Sequence, residues 1–483
     1  MGLNPVVIEN FPGLDLRVDP GDSRAAIDAL NVSLLPGRVK TREGTSLFYT
    51  APAAVRFLDV FNSVTAGRQL IAASDGAVNG TYSAVAPSGS LVASYATTTG
   101  IIDQTGASGV AIGTLSANAY YVTTARGSLI AKWTGSAWST PAGMPASPGV
   151  LSISPTDNRL VVCDTGSKVW FSDPGAPETF GANNFVSLVP GDGESIQGAA
   201  VFANQLFVFK STRFFVFYGN STDASGNPVF NYRTITTGVG TQFRQLITPS
   251  SVCVGPDGVY FVSGTGVYRT TGGAPVHVSL QIQPALDGAA NTFWQGGTWT
   301  PTSTTRVRLA WVGDRMFFSL PGIGTFVYDR RVDAWSLWTT LAQAITGFAS
   351  SNADGALDAP FFGVASTVLK TDPTLATDSG SAIVSRYRFP FEDYGSPRRK
   401  RLRETIIEGT GTVTAQWSKD WGALTTGSSV VLGTSPAIAT ARQRLAMLGN
   451  SFSLQLGASS GAWAVNRVQA NVSDALAGPE ITV

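Results

Sequence analysis

The chain has 483 residues, more than one ordinary core encloses, so two or three domains are expected. Only 13% of residues are charged, and the formal net charge is +1. Glycine-, serine- and threonine-rich composition of this kind speaks against a charged helical enzyme and against a protein that coats nucleic acid over its whole surface; short strands joined by many turns fit it.

The first 38 residues are loop-rich. They lack the basic start and long apolar run of a secretory signal, and no export signal is expected. Within them, residues 23–30 (SRAAIDAL) suggest a short helix capped by Asp22 or Ser23. Further along, the most apolar stretch, 201–218, is broken by Asn204, Lys210 and Arg213, so no membrane helix is expected.

From residue 39 to 375 one outline recurs. A polar residue opens a strand rich in aromatic and β-branched residues, a tight polar turn follows, and a second strand returns. The openings are Gln69, Asn118, Asn158, Asn204, Asp257, Asp314 and Asp358, spaced 40 to 57 residues apart. That spacing matches the blade length of β-propellers. In the hairpin from Asn204, Leu206 and Val208 alternate with Phe207 and Phe209, apolar on both sides, as befits a strand between two packed neighbours. The third hairpin ends at Asp173-Pro174-Gly175, a β-turn sequence. A closed propeller of about seven blades is the expectation, with a pair of facing sandwiches as the competing arrangement.

Residues 376–483 alternate apolar and polar positions in runs such as ETIIEGTGTVTAQWS and AWAVNRVQANV. An antiparallel β-sandwich is expected there, joined by residues 1–38 into one terminal module, because a ring of blades returns the chain to where it entered. The whole is therefore read as all-β.

Few residues carry chemistry. His277 stands alone, and the two cysteines, Cys163 and Cys253, sit in apolar strands as core residues. No metal ligand set, cofactor fingerprint or nucleophile elbow is found; Asp354 and Asp358 in NADGALD read as a turn. Trp133, Trp138, Trp335 and Trp338 read as core fillers rather than sugar-stacking platforms. One charge run stands out, GSPRRKRLRE, with Arg398, Arg399, Lys400, Arg401 and Arg403. It suits phosphate or an acidic subunit surface, and equally a solvated strand edge. Strand alternation would put Arg401 and Arg403 on one face and Lys400 on the other.

Several segments resemble virion proteins of tailed bacteriophages. The opening run carries Asp22, Ala26, Asn31, Gly37, Arg38, Arg42 and Gly44 in the spacing of those proteins. WFSDPGAPETF, GVYFVSGTGVYR, VYDRRVDAWSLW and FEDYGSPRRKRLRE are similar to segments of them too. The resemblance is to the tail nozzle, or tail tubular B-type, and hub proteins of short-tailed phages. It implies a non-enzymatic ring subunit, commonly of a hexamer, beneath the portal and adaptor, around a channel through which double-stranded DNA passes without sequence recognition. It also implies side attachment of tail fibres or spikes, no cofactor or small-molecule substrate, and assembly in the host cytoplasm into the virion. The competing function is a propeller that binds or degrades host-surface polysaccharide.

Overall fold

The computed structural model describes residues 4–474, leaving out 18–20, 22–23, 64–66, 75–80, 86–89, 97–113, 116–118, 124–129, 155–158, 223–227, 236–241, 244–245, 248–250, 289–306, 321, 340–344, 346, 352–358, 395–397, 426 and 435–436. Among the described residues the chain is nearly all strand. A single turn of 3-10 helix, Leu280–Ile282, leads into a five-residue helix, Gln283–Asp287.

Among the described residues seven antiparallel blades follow one another along the chain, five of them separate four-stranded sheets. Their strands span 55–96, 114–139, 148–187, 198–235, 252–277, 308–338 and 347–372. The last of these has only three strands of its own. Its fourth is β5 (Gly44–Thr50), which pairs with Thr367–Asp372. The chain then passes straight into blade 1, so a strand from the N-terminal region locks the ring. Each expected hairpin is the middle pair of one blade. The opening residues Asn118, Asn158 and Asp358 lie outside the described residues, as does Asp354.

Closure is visible in the core. Seven blades have seven interfaces, each filled by apolar side chains, and the filling between blades 5 and 6 runs on into the core of the sandwich. Phe61 and Ile71 of blade 1 meet Tyr120 and Trp133 of blade 2. Tyr121 and Ile130 then meet Leu151 and Val162 of blade 3. Val161 and Phe171 meet Leu206 and Val208 of blade 4, whose Phe207 and Phe209 turn to Val259 and Phe261 of blade 5. Tyr260 and Val262 meet Leu309 and Met316 of blade 6. Phe317 and Trp338 meet Phe362 and Leu369 of blade 7, and Phe361 and Val368 return to Val55 and Leu70 of blade 1. Successive side chains of a strand point to opposite faces, so two-sided apolar strands let each blade serve two interfaces at once.

The chain termini build the second unit. Its N-terminal strands are β1 (Asn4–Ile8), β2 (Asp28–Leu30), β3 (Val32–Leu35) and β4 (Arg38–Thr41). Its C-terminal strands are β6 (Ser385–Arg388), β7 (Lys400–Lys419), β8 (Ser428–Val431), β9 (Ala439–Gly449), β10 (Phe452–Ala458) and β11 (Trp463–Asp474). The twenty-residue β7 belongs to two sheets. Its first half lies between β9 and β11, its second between β8 and β10. Strands that change sheets make the corners of a sandwich. The corner here is Gly409-Thr410-Gly411: Gly411 has φ +85, and a Cβ on it would stand 2.2 Å from the Ala462 carbonyl oxygen. A Cβ on Gly409 would stand 2.0 Å from that of Ala464. Only glycine permits both the turn and the approach. Between the sheets lie Leu402, Ile407, Val413, Trp417, Leu454, Leu456, Val465 and Val468.

Three expectations change. The helix over 23–30 does not form in the described part, Arg24 to Leu30, while Asp22 and Ser23 lie outside it. Its amides bond outward instead: Ala26 N–H to the Gly13 carbonyl at 2.9 Å and Ile27 N–H to that of Arg388 at 3.0 Å. Ala25, Ala26, Ile27 and Ala29 are all buried, so distant partners outweigh helix propensity. The propeller does not begin at 39, because β4 pairs with β11 (Val39↔Val465) and residues 39–41 lie in the sandwich. Nor does the boundary fall at 375 and 376, since Asp378 pairs in parallel with Thr45 and 377–382 extend blade 7.

Blade 6 and the sandwich share one sheet through β2, which pairs with Leu337 on one side and β6 on the other. Arg42 pins this junction. Its guanidinium donates to Asn31 Oδ1 (3.1 Å), the Thr339 carbonyl (3.0 Å), the Glu43 carbonyl (2.9 Å) and Asp378 Oδ1 (2.9 Å) and Oδ2. Asn31, at φ 50, donates to Thr339 Oγ1 (2.8 Å) and the Val384 carbonyl (2.9 Å). Gly37 turns β3 into β4 at φ +65, and Gly44 passes close against Thr377. Of the spaced residues of the opening run, Asn31, Arg42 and Gly44 thus meet where blade 6, blade 7 and the sandwich join.

Candidate functional site

The basic run leads into β7 and obeys its alternation. Lys400 is buried, with Leu402 on the same side, whereas Arg401 and Arg403 are exposed on the opposite face. The Lys400 ammonium is held from below by the Arg398 carbonyl (2.9 Å) and the Asn450 carbonyl (3.4 Å). Arg398 and Arg399 are exposed on the approach to the strand; Gly395, Ser396 and Pro397 lie outside the described residues. A bulge against β11 places Leu402 opposite Val472 and Glu404 opposite Asn471, with Arg403 as the extra residue. Arg403 Nε donates to Ser473 Oγ at 3.0 Å, so this arginine is steadied by the neighbouring strand. The five cations therefore do not act together: four reach the surface and Lys400 is turned inward.

The fold adds cations that were not singled out in the sequence. On β9, next to β7, Arg442 and Arg444 are exposed on the same outer face. Their signal is the R-x-R spacing of TARQRLAML, which puts both on one side of a strand. Arg467 of β11 meets Glu9 and Glu408, each at 3.3 Å, and Arg442 lies 4.0 Å from Glu404. Glu9 and Glu408 lie toward one end of the face, while Glu404 sits opposite Arg444, among the arginines. Arg401, Arg403 and Arg444 form no ion pair among the described residues. Such a cluster can take phosphate or carboxylate oxygens through paired N–H groups.

Other chemical groups are engaged within the fold. His277 Nε2 lies 3.1 Å from Ser279 Oγ, a pairing not legible in the sequence. Ser279 is wholly buried, and its oxygen accepts the Val267 N–H at 2.8 Å, so the hydroxyl is a backbone anchor of blade 5. Burial and the charge of Arg17 lower the His277 pKa. Burial raises those of both thiols; Cys163 packs between blades 3 and 4, and Cys253 packs against the main core. Among the described residues no three His, Cys, Asp or Glu side chains come close enough to hold a metal ion. Trp133, Trp335 and Trp338 are buried, and Trp138 packs against Trp133 with ring centroids 5.0 Å apart. These four tryptophans are core, as their surroundings in sequence suggest. No helix among the described residues is long and apolar enough to cross a membrane.

No family model matches the chain, and no curated protein matches it. Among solved structures it is similar to BBS1N in its complex with ARL6DN, at 11% identity and a TM-score of 0.41, over 69% of this chain and 98% of that one.

Proposed function

We propose that the chain is a ring-forming tail nozzle or hub subunit of a short-tailed bacteriophage, placed below the portal and adaptor, around the channel through which the genome leaves. The reading rests on the sequence resemblance and on one structural observation above all. The basic run lies on the sandwich, with Arg398, Arg399, Arg401 and Arg403 at the surface and only Lys400 withdrawn. Exposed arginines of this kind suit sliding DNA or an acidic neighbour, because phosphate contacts are reversible and independent of sequence. The junction around Arg42 supports it as well: residues of the phage-like opening run hold propeller and sandwich together there. In this reading the subunit is not an enzyme, its partners are further copies of itself, commonly six, and fibres or spikes attach at its side.

The test replaces Arg398 and Arg399 with serine in assembling particles. Ring formation is scored by negative-stain imaging and genome retention by nuclease protection. Normal rings that leak DNA are the expected result. For every phosphate that an arginine no longer neutralises, the salt dependence of duplex binding should also flatten by about 0.9 in log–log slope. Rings that retain DNA as the parent does would refute the channel role of these two residues.

A further inference from the structure

Among the described residues, β9 ends one side of a sandwich sheet, and on the other side β1 lies beside the later part of β11 while β4 and β3 continue beside its start. Along the later part of β11 the order across that sheet is β9, β7, β11, β1. Among the described residues β9 pairs only with β7, and β1 only with β11. Edge strands are ordinarily short, interrupted by proline or twisted away, because their open N–H and C=O groups recruit another strand. The eleven residues of β9 contain no proline, and all but Gly449 are exposed or half-exposed. On its inner face Ala441, Leu445 and Met447 touch the core without being covered by it. Gln443, on the same face, keeps its Oε1 away from water with no hydrogen-bond partner. An orphaned buried acceptor is costly.

The opposite edge has the matching features. On β1, Val6 and Ile8 are half-buried on the inner side, while Val7 is 42% exposed on the outer. Proline holds a place in a strand where its missing N–H faces away from the partner. By that rule the outward backbone groups belong to Pro5, Val7 and Glu9, and the latter two offer both donor and acceptor. Direction also agrees. β7 runs antiparallel to β9 and to β11, and β1 antiparallel to β11, so β1 is antiparallel to β9.

We infer that a second copy of this chain seats its β1 against β9, extending the sheet head to tail from subunit to subunit. The inference rests on the ring reading only for closure, since identical head-to-tail contacts make either rings or open chains. Register follows from levels within the sheet. Thr405 faces Gln443 on one side and Ala470 on the other, and Ala470 faces Val6. Where the ring axis runs along the strands, Val6 of the incoming copy therefore meets Gln443. Its Val7 then meets Arg442, and its Glu9 lies diagonally across from Arg442 on the outer face, within reach of a long side chain. Half-covered apolar residues of the two edges fall on the same inner face and close over one another.

The test is a Val6→Cys, Gln443→Cys double variant of the full chain, oxidised mildly, run without reductant and imaged in parallel. Directly opposed residues of antiparallel strands are about 4.5 to 5.5 Å apart at Cα, within disulfide reach. Rings together with a ladder of covalent oligomers, absent in each single-cysteine variant, are expected. Rings without a ladder would overturn the edge pairing and leave the ring reading intact. A ladder with open chains and no rings would support the pairing and sink the ring reading; neither ladder nor rings overturns the pairing. In a second variant, Arg442→Glu with Arg444→Glu, self-association should weaken about tenfold at low salt and recover on adding Glu9→Arg. Unchanged association would count against this register.

Discussion

In blade 4, Leu206 and Val208 are sealed against blade 3 while Phe207 and Phe209 are sealed against blade 5, so both faces of the strand are occupied within the same chain. In the sandwich, β7 buries one face only, and the sheet to which it belongs ends at the uncovered β9. Closure accounts for the difference. A ring of blades uses up its faces and leaves short edges, and β5 of the N-terminal region supplies the strand that completes it. The sandwich sheet is not closed in this way: it ends at β9, and Arg401, Arg403 and Arg444 lie exposed on its outer face. Under the proposed ring reading, contacts between subunits therefore fall on the module made by the termini rather than on the propeller.

The largest effect should come from disconnecting the two. Arg42→Ala leaves the buried Asp378 carboxylate without its cation, which costs about 3–5 kcal/mol. Denaturant unfolding should show one transition splitting into two, as the sandwich loosens before the ring. A single transition shifted as a whole would mean that the two regions remain one cooperative unit without the junction.

Gly411→Val attacks the sandwich alone. A β-branched side chain at φ +85 that also meets the Ala462 carbonyl should cost roughly 2–4 kcal/mol. Near-ultraviolet signals from Trp417 and Trp463 should change, while the tryptophans of blades 2 and 6 keep theirs. Equal loss in both would erase the distinction between the regions.

Acidity should separate them further, with opposite signs. Burial pushes the Asp59 carboxyl, which accepts the Tyr120 hydroxyl at 2.5 Å between blades 1 and 2, up to about 6. The folded form thus holds that proton more tightly than the unfolded chain, whose value is 3.8. Its stabilisation is complete below the unfolded value and is lost as pH rises through about 6, amounting to about 3 kcal/mol. At the junction, burial opposes ionisation of Glu43, but Arg315 and Lys40 outweigh it and hold the carboxyl at about 2. That contribution is present above the unfolded value of 4.5 and is lost as pH falls through about 2. Asp59→Asn should flatten the fall in propeller stability between pH 4 and 6, read by hydrogen exchange of blade 1 amides. A slope that survives the substitution would assign it to another group.

The smallest change is expected at the surface. Arg401→Ser should alter stability by no more than about 0.5 kcal/mol, since its side chain is exposed on the sandwich face. Thermal unfolding measures this directly. A larger loss would show that the arginine supports the fold instead of a partner.

Much of this architecture is written in local sequence. Seven hairpins could be read because strand alternation and turn chemistry are steric properties of a few adjacent residues. The same two-residue period sets Arg401 and Arg403 on one face and Lys400 on the other, but which of the two faces is buried is decided by the packing of the sandwich. What tertiary structure decided is which strands meet. Residues 44–50 lock blade 7, Asp28–Leu30 extends a sheet where a helix was expected, and Arg442 and Arg444 join Arg401 and Arg403 on one face. Asn31, Arg42 and Asp378 converge from distant points of the chain. Backbone hydrogen bonds carry no label for their partners; collapse of the apolar faces determines which edges lie side by side, and only then do those contacts exist.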